Sequence, residues 1–221
     1  MTNNPTTEVL SKPLEDPLAY LPHSTVCDYS KNRTVYDQDQ PSTSLYLVIE
    51  GKVKVCRLAR SGNQVVIDLY QADEFFGESA LLGLSQCRTE MAIAMENTKL
   101  MAWTTGQIDD IVARRPLLAV GLLQLLVQRS EFFGQRIESF SVDNIPRRLV
   151  RALLRFSERM GSAHEDGSVE MTAFTHELLA QYVGSTREIV TQYMNQFRRT
   201  GFTCTIPVKA LFCVRRCYAR C

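Results

Sequence analysis

The chain predicts an α+β fold: an N-terminal antiparallel β jelly-roll barrel, then one long helix, then a C-terminal helix-turn-helix. Three observations carry this. Residues 26–103 hold short strand-like runs broken by turn residues, the pattern of an antiparallel barrel or jelly roll. From Pro116 to Phe140 the apolar residues switch to alternating spacings of four and three. Near the carboxyl end, Ala180, Gly184 and Val190 supply the small residue, the turn glycine and the apolar anchor that a helix-turn-helix needs.

The elements follow in order. With 221 residues, 45% of them hydrophobic, the chain has core enough for two domains and little room for extended disorder. Residues 1–17 read as a flexible arm with Pro5 and Pro13, and Leu18 to Leu21 as the start of a short helix. The barrel is expected over 18–115. Ser44 to Ile49 forms a strong strand, Glu50-Gly51 turns it, and Lys52 to Arg57 alternates with period two. Ser61-Gly62-Asn63 is a hairpin turn from which Val65 to Tyr70 returns. In the long helix, expected over 116–143, Ala119, Leu123, Leu126, Ser130, Phe133, Ile137 and Phe140 form a coiled-coil seam, which predicts a homodimer; Leu118, Leu122 and Leu125 lie off the seam and face the barrel.

Asp143-Asn144-Ile145-Pro146 marks the break to a domain over 144–221. Asp143 or Asn144 caps the next helix and Pro146 suits its first turn. That helix ends at Gly161, before a polar loop to Gly167 and a small strand at Val169 to Met171. Thr175 caps the first helix of the helix-turn-helix, and Glu177 favours its positive end.

The chemistry points outward at the second of these helices. Its exposed face carries Arg187, Glu188, Thr191 and Gln192: Arg grips guanine, Glu accepts from cytosine, and Gln pairs with adenine in a major groove. Thr191, Arg198 and the basic run Arg147, Arg148, Arg151 and Arg155 are expected on phosphate. Net charge is only +1, so any nucleic-acid surface is local. Either Ser185 caps this helix and Glu188 closes a capping box, or Thr186 caps it and leaves Glu188 freer for a base. In the barrel, Gly77 permits close backbone approach, Ser79 begins a helical turn with free amides, Glu78 can accept from a ribose hydroxyl, and Arg88-Thr89 offers a fork and a hydroxyl to a phosphate. The bland alternative is an internal Glu78–Arg88 salt bridge. His23, His164 and His176 have no convincing nucleophile or metal partner, so no catalytic or metal site is expected. Cys27, Cys56 and Cys87 read as lone small apolar residues. The absence of a run of about 18 apolar residues and of a basic-then-apolar leader predicts no membrane span, no signal peptide and a cytoplasmic location.

Phe76-Gly77-Glu78, Arg88-Thr89 and Val183-Gly184-Ser185-Thr186-Arg187-Glu188, set in this order of elements, resemble the Crp/Fnr family of bacterial transcription regulators over about residues 18–201. The resemblance implies a homodimeric regulator of double-stranded DNA that works with RNA polymerase. It implies a cyclic nucleotide such as cAMP held by Gly77, Glu78, Arg88 and Thr89, with the backbone amide of Ser79. It places Thr186, Arg187, Glu188, Thr191, Gln192 and Arg198 at DNA, and it implies a two-stranded wing that makes the last domain a winged helix-turn-helix. Two positions depart. Phe133 and Gly134 stand where cyclic-AMP-binding members carry hydroxyls toward adenine, and Glu90 follows Thr89 where a small residue is usual. The lack of an N-terminal cysteine cluster sets aside the iron–sulfur branch. The rival readings are the same regulator with a different effector or none, and a ligand-binding regulatory subunit that never touches DNA.

The tail departs most. After Gly201 the family's wing begins Gly-Tyr-Leu and turns through Ser-Arg-Lys-Gly, whereas this chain reads Phe-Thr-Cys-Thr-Ile-Pro-Val-Lys-Ala. Codons read from the third base of Phe202 permit Tyr-Leu-x-Tyr-Ser-Arg-Lys-Gly, so the residues from about 202 read as a frameshifted product whose hairpin pattern is lost, Pro207 fitting poorly in a strand. The rival is a metal-binding tail, with Cys213, Cys217 and Cys221 spaced by four on one helical face.

Overall fold

A computed structural model describes residues 15–60, 62–82, 87–165, 168–201, 203–206 and 211–215, without the side chains of Leu82, 203–206 and 211–215. Most of the expected arm, Ser61, Gly167, Phe202, Pro207, Cys217 and Cys221, and the side chains of Cys204 and Cys213, lie outside the described residues.

Two four-stranded antiparallel sheets form the barrel. One runs β1 (Thr25–Tyr29), β8 (Thr98–Thr104), β3 (Ser44–Glu50), β6 (Phe75–Phe76); the other β2 (Thr34–Tyr36), β7 (Met91–Ala94), β4 (Lys52–Leu58), β5 (Gln64–Gln71). The Glu50-Gly51 turn is as read from the residues. Gly51 sits at φ +88°, and a Cβ there would fall 2.6 Å from the Asn97 carbonyl oxygen. Between the sheets lie Val48, Val53, Val55, Tyr36, Tyr70, Phe76 and Leu100, all buried. Ahead of β1 a 3-10 turn, Pro17–Ala19, is capped by Asp16.

One helix had no periodic signal. α1 (Thr105–Arg114) starts at a capping box in which Thr104 and Gln107 exchange side-chain and backbone bonds. The Thr-x-x-Gln spacing was its only mark, because a single buried side chain, Ile108, anchors it.

α2 (Leu117–Val142) carries the apolar stripe on two faces. Leu118 and Leu122 are buried with Phe75, Met101 and Trp103, and Leu125 packs at the edge of that cluster. The seam points away: Leu123 is 61% exposed and Ile137 67%. α2 is long and apolar enough to cross a bilayer, with mean hydropathy 1.2 over 18 residues. That apolar content is shared between a face packed on the barrel and an exposed face.

α3 (Ile145–Met160) is capped by Asn144, with Pro146 in its first turn. Asp143 instead ends α2, where its carboxylate accepts from Ser139 Oγ at 2.8 Å and pairs with Arg151 Nε at 2.7 Å. β9 (Ser162–Ala163) and β10 (Ser168–Thr172) lead to α4 (His176–Val183), capped by Thr175, and α5 (Arg187–Arg199). Leu149, Leu153, Phe156, Met171, Leu179, Val190 and Met194 form the core of this unit, which extends onto Val66 and Leu69 of β5. The expected loss of the hairpin is overturned. β11 (Thr203–Ile206) and β12 (Leu211–Arg215) pair antiparallel, and β12 pairs with β10. Strand pairing runs through the backbone, and both segments are rich in β-branched and aromatic residues. Cys213 thus lies in a strand, which removes the helical face needed by the metal-binding alternative.

Candidate functional site

The barrel cassette is brought together as expected, but with different partners. Gly77 adopts φ +81°, and a Cβ would meet Tyr46 at 3.0 Å and Arg88 Nη1 at 3.2 Å, so glycine is needed for both conformation and space. The 3-10 turn Glu78–Leu82 follows. Arg88 is 2% exposed. Its guanidinium lies 3.7 Å from the centroid of Tyr36 and donates to the Ser44 carbonyl at 2.7 Å and to Ser79 Oγ at 3.3 Å. Ser79 Oγ is in turn 2.9 Å from Ser42 Oγ, so its hydroxyl, not only its amide, belongs to the cassette.

Arg88 does not pair with Glu78. Glu78 pairs with Arg129 of α2, which also donates to the Phe75 carbonyl at 2.6 Å. Burial opposes the Arg129 charge, but Tyr70 and Glu78 outweigh it and hold its pKa above the ordinary value. The sequence reading missed Arg129. The signal was there: it continues the barrel-facing row Leu118, Leu122, Leu125. Thr89 is exposed and its hydroxyl accepts from Arg57 at 3.0 Å. Burial and the neighbouring Glu78 carboxylate push the Glu90 pKa up. Phe133 is half-buried against Phe132, with ring centroids 5.4 Å apart, and Gly134 leaves open space.

The candidate nucleic-acid interface is α5. Gly184, at φ +68°, makes the turn, and Thr186 caps the helix, accepting from Ile189 N. Its own backbone N–H and the Thr186 hydroxyl hold the Glu188 pKa down, so Glu188 is a carboxylate that also serves the helix start. Arg187, Glu188 and Gln192 are exposed. Thr191 is half-buried: its hydroxyl donates to the Arg187 carbonyl at 2.7 Å and lies 2.8 Å from His176 Nδ1, so it braces α5 on α4. Asn195 and Arg199, exposed and in register with Glu188 and Gln192, extend the displayed face and were missed; the spacing of three and four was the signal. Arg198 lies at the far end, donating to Asn195 Oδ1 at 3.4 Å.

The basic run is redistributed. Arg148 donates to the carbonyls of Asp143, Val183 and Phe140, Arg151 pairs with Asp143, and Arg155 reaches Asp68 at 3.6 Å. These three hold the domains together. Arg147 remains exposed.

The expected outcome for Arg187→Ala or Gln192→Ala is a loss of about 1–3 kcal/mol in binding a cognate duplex with an unchanged unfolding midpoint. Gel shifts on cognate and scrambled duplexes measure it, and equal weakening on both would make these residues phosphate contacts only.

Comparison with known proteins agrees with this architecture. Residues 26–115 match the cyclic nucleotide-binding domain and residues 147–206 the Crp-like helix-turn-helix domain. The chain is 33% identical over 162 residues to the transcriptional regulator SdrP of Thermus thermophilus, covering 73% of this chain and 75% of that one. It is 27% identical over 176 residues to the CRP-like cAMP-activated global transcriptional regulator of Mycobacterium tuberculosis, covering 79% and 78%. A crystal structure of a CRP/FNR-family transcriptional regulator from Thermus thermophilus superimposes with TM-score 0.68 at 27% identity, covering 86% of this chain and 93% of that one.

Proposed function

Because the chain belongs to the Crp/Fnr family of transcription regulators, we propose that its barrel senses a cyclic nucleotide, cAMP first among candidates, and passes the signal to α5 through α2. The chain is a DNA-binding transcription regulator, not an enzyme, and it works as a homodimer through α2. The observation that carries the sensing reading is the Glu78–Arg129 pair, which ties the cassette to the helix that bears the dimer seam. In this reading the cyclic phosphate takes Arg88 and Ser79, and Glu78 receives a ribose hydroxyl. The base approaches Phe133 and Gly134 of α2, and stacking on the Phe133 ring replaces the hydroxyl contacts. RNA polymerase is the partner at the promoter, and the cytoplasm the compartment.

Arg88→Ala is expected to abolish nucleotide-stimulated DNA binding while the folded barrel persists. Calorimetry with cAMP and cGMP, beside gel shifts, reads this; full stimulation in the variant would end the proposal.

One observation favours a second reading. Arg88 is already supplied with acceptors by Ser44 and Ser79, and Tyr36, Tyr46, Tyr70 and Phe76 stack within the barrel at 5.2–6.1 Å. A barrel closed in this way supports DNA binding without an effector, and the same titration would then show full affinity with no nucleotide added. The frameshift reading of the tail is tested by resequencing the gene across codon 201.

A further inference from the structure

We propose that the cavity of about 260 Å³ between α2, α3 and α4 is a second ligand site, built for a planar aromatic anion. The inference does not depend on the cyclic-nucleotide reading, since none of the cassette residues lines this cavity.

Its walls are stacked pairs of cations and rings. The Arg155 guanidinium lies 3.0 Å from the Phe132 centroid, Arg136 lies 4.2 Å from Tyr182, and Arg148 lies 5.0 Å from Phe140. Such pairs present flat, polarisable surfaces between which another flat ring inserts with little reorganisation.

The charge is unbalanced toward cations. Arg136, Arg148, Arg151 and Arg155 line the cavity with Glu158 as the one lining carboxylate, and Arg151 is paired with Asp143 at its edge. Among the described residues Arg136 and Arg148 donate hydrogen bonds to carbonyl oxygens, those of Val66, Ile67 and Tyr182 for the first and of Phe140, Asp143 and Val183 for the second. Arg155 shares Asp68 with Arg159, which sits closer at 2.9 Å. Nε of both Arg136 and Arg155 is buried without a hydrogen-bond partner among the described residues. Carbonyls orient a guanidinium but leave its charge uncancelled, so a carboxylate, phosphate or sulfonate entering here gains charge-assisted bonds.

The dimer seam leaves the cavity open. Of the lining residues only Phe140 belongs to the seam; Phe132, Gln135, Arg136 and Ser139 occupy the neighbouring face of α2. A ligand here touches the sensor helix and two helices of the DNA-binding unit at once. It would shift their relative placement by its differential affinity for the two arrangements.

The test uses the full chain and calorimetry with 2-naphthoate, its neutral isostere 2-naphthamide as the control. The expected result is saturable binding of one 2-naphthoate per protomer, with 2-naphthamide at least about tenfold weaker. Arg151→Gln, at a side chain 64% exposed, is expected to weaken 2-naphthoate by about fivefold to tenfold, as loss of one charge-assisted contact does. Gln135→Trp, at an exposed lining position, is expected to block it. Arg33→Glu, on the barrel surface, is expected to have no effect. Denaturant unfolding followed by circular dichroism verifies that each variant is folded. Absence of saturation below about 1 mM, equal affinity for the amide, or indifference to both cavity variants would overturn the proposal. So would binding that Arg88→Ala removes and Arg151→Gln leaves intact, since the ligand would then be in the barrel.

Discussion

Asp68→Ala is expected to cost about 3–5 kcal/mol of folding stability, because it strips a buried ion network of its central carboxylate. Asp68 is 3% exposed in β5. Its Oδ1 accepts from Arg159 Nη1 at 2.9 Å and from the Leu69 backbone N–H at 2.9 Å, and its Oδ2 faces Arg155 at 3.6 Å. Arg159 also forks onto Glu74 at 2.8–2.9 Å, so it keeps one partner after the substitution, while Arg155 keeps none of its ion pairs. The network joins β5 of the barrel to α3, so the loss is expected to separate the two units as well as destabilise them. Denaturant unfolding followed by circular dichroism measures the first effect, and faster limited proteolysis between residues 143 and 146 the second. A loss below about 1 kcal/mol would show that the junction is held by its apolar contacts instead.

Phe156→Ala is expected to cost about 3–5 kcal/mol and to unfold the DNA-binding unit ahead of the barrel. Phe156 is fully buried, with ring centroids 4.9 Å from Phe174 and 4.8 Å from Tyr182. Those rings sit on the strand-to-helix connection and on α4, so the cavity left behind opens beneath the helix-turn-helix. The chain has one tryptophan, Trp103, buried in the barrel with its indole N–H donating to the Pro22 carbonyl at 2.9 Å. Its fluorescence therefore reports the barrel alone. The expected observation is an early transition by circular dichroism, a later one by fluorescence, and DNA binding lost at the first. Coincident transitions at the unaltered midpoint would refute this account.

Much of the architecture was legible because its signals are local. The apolar strand run of β3, period two in β4, the four-and-three stripe of α2, Asn144 before Pro146, and the Gly184 turn each depend on neighbours a few residues away, which chain geometry sets directly. Side-chain partnerships across the fold were not legible in the same way. Read from the residues, Arg88 and Glu78 served a common ligand or, in the bland alternative, each other. Yet Arg88 turned into the aromatic barrel and Glu78 reached Arg129, 51 residues along the chain. The basic run beginning at Arg147 likewise looked like a phosphate face, and three of its arginines instead hold α3 to α2, α4 and β5. A guanidinium serves phosphate, carboxylate or carbonyl equally well, so its residue type names what it can bind and not which acceptor lies within reach. That distance is fixed only when strands and helices remote in sequence pack together, and burial then decides which acceptor each charge must keep.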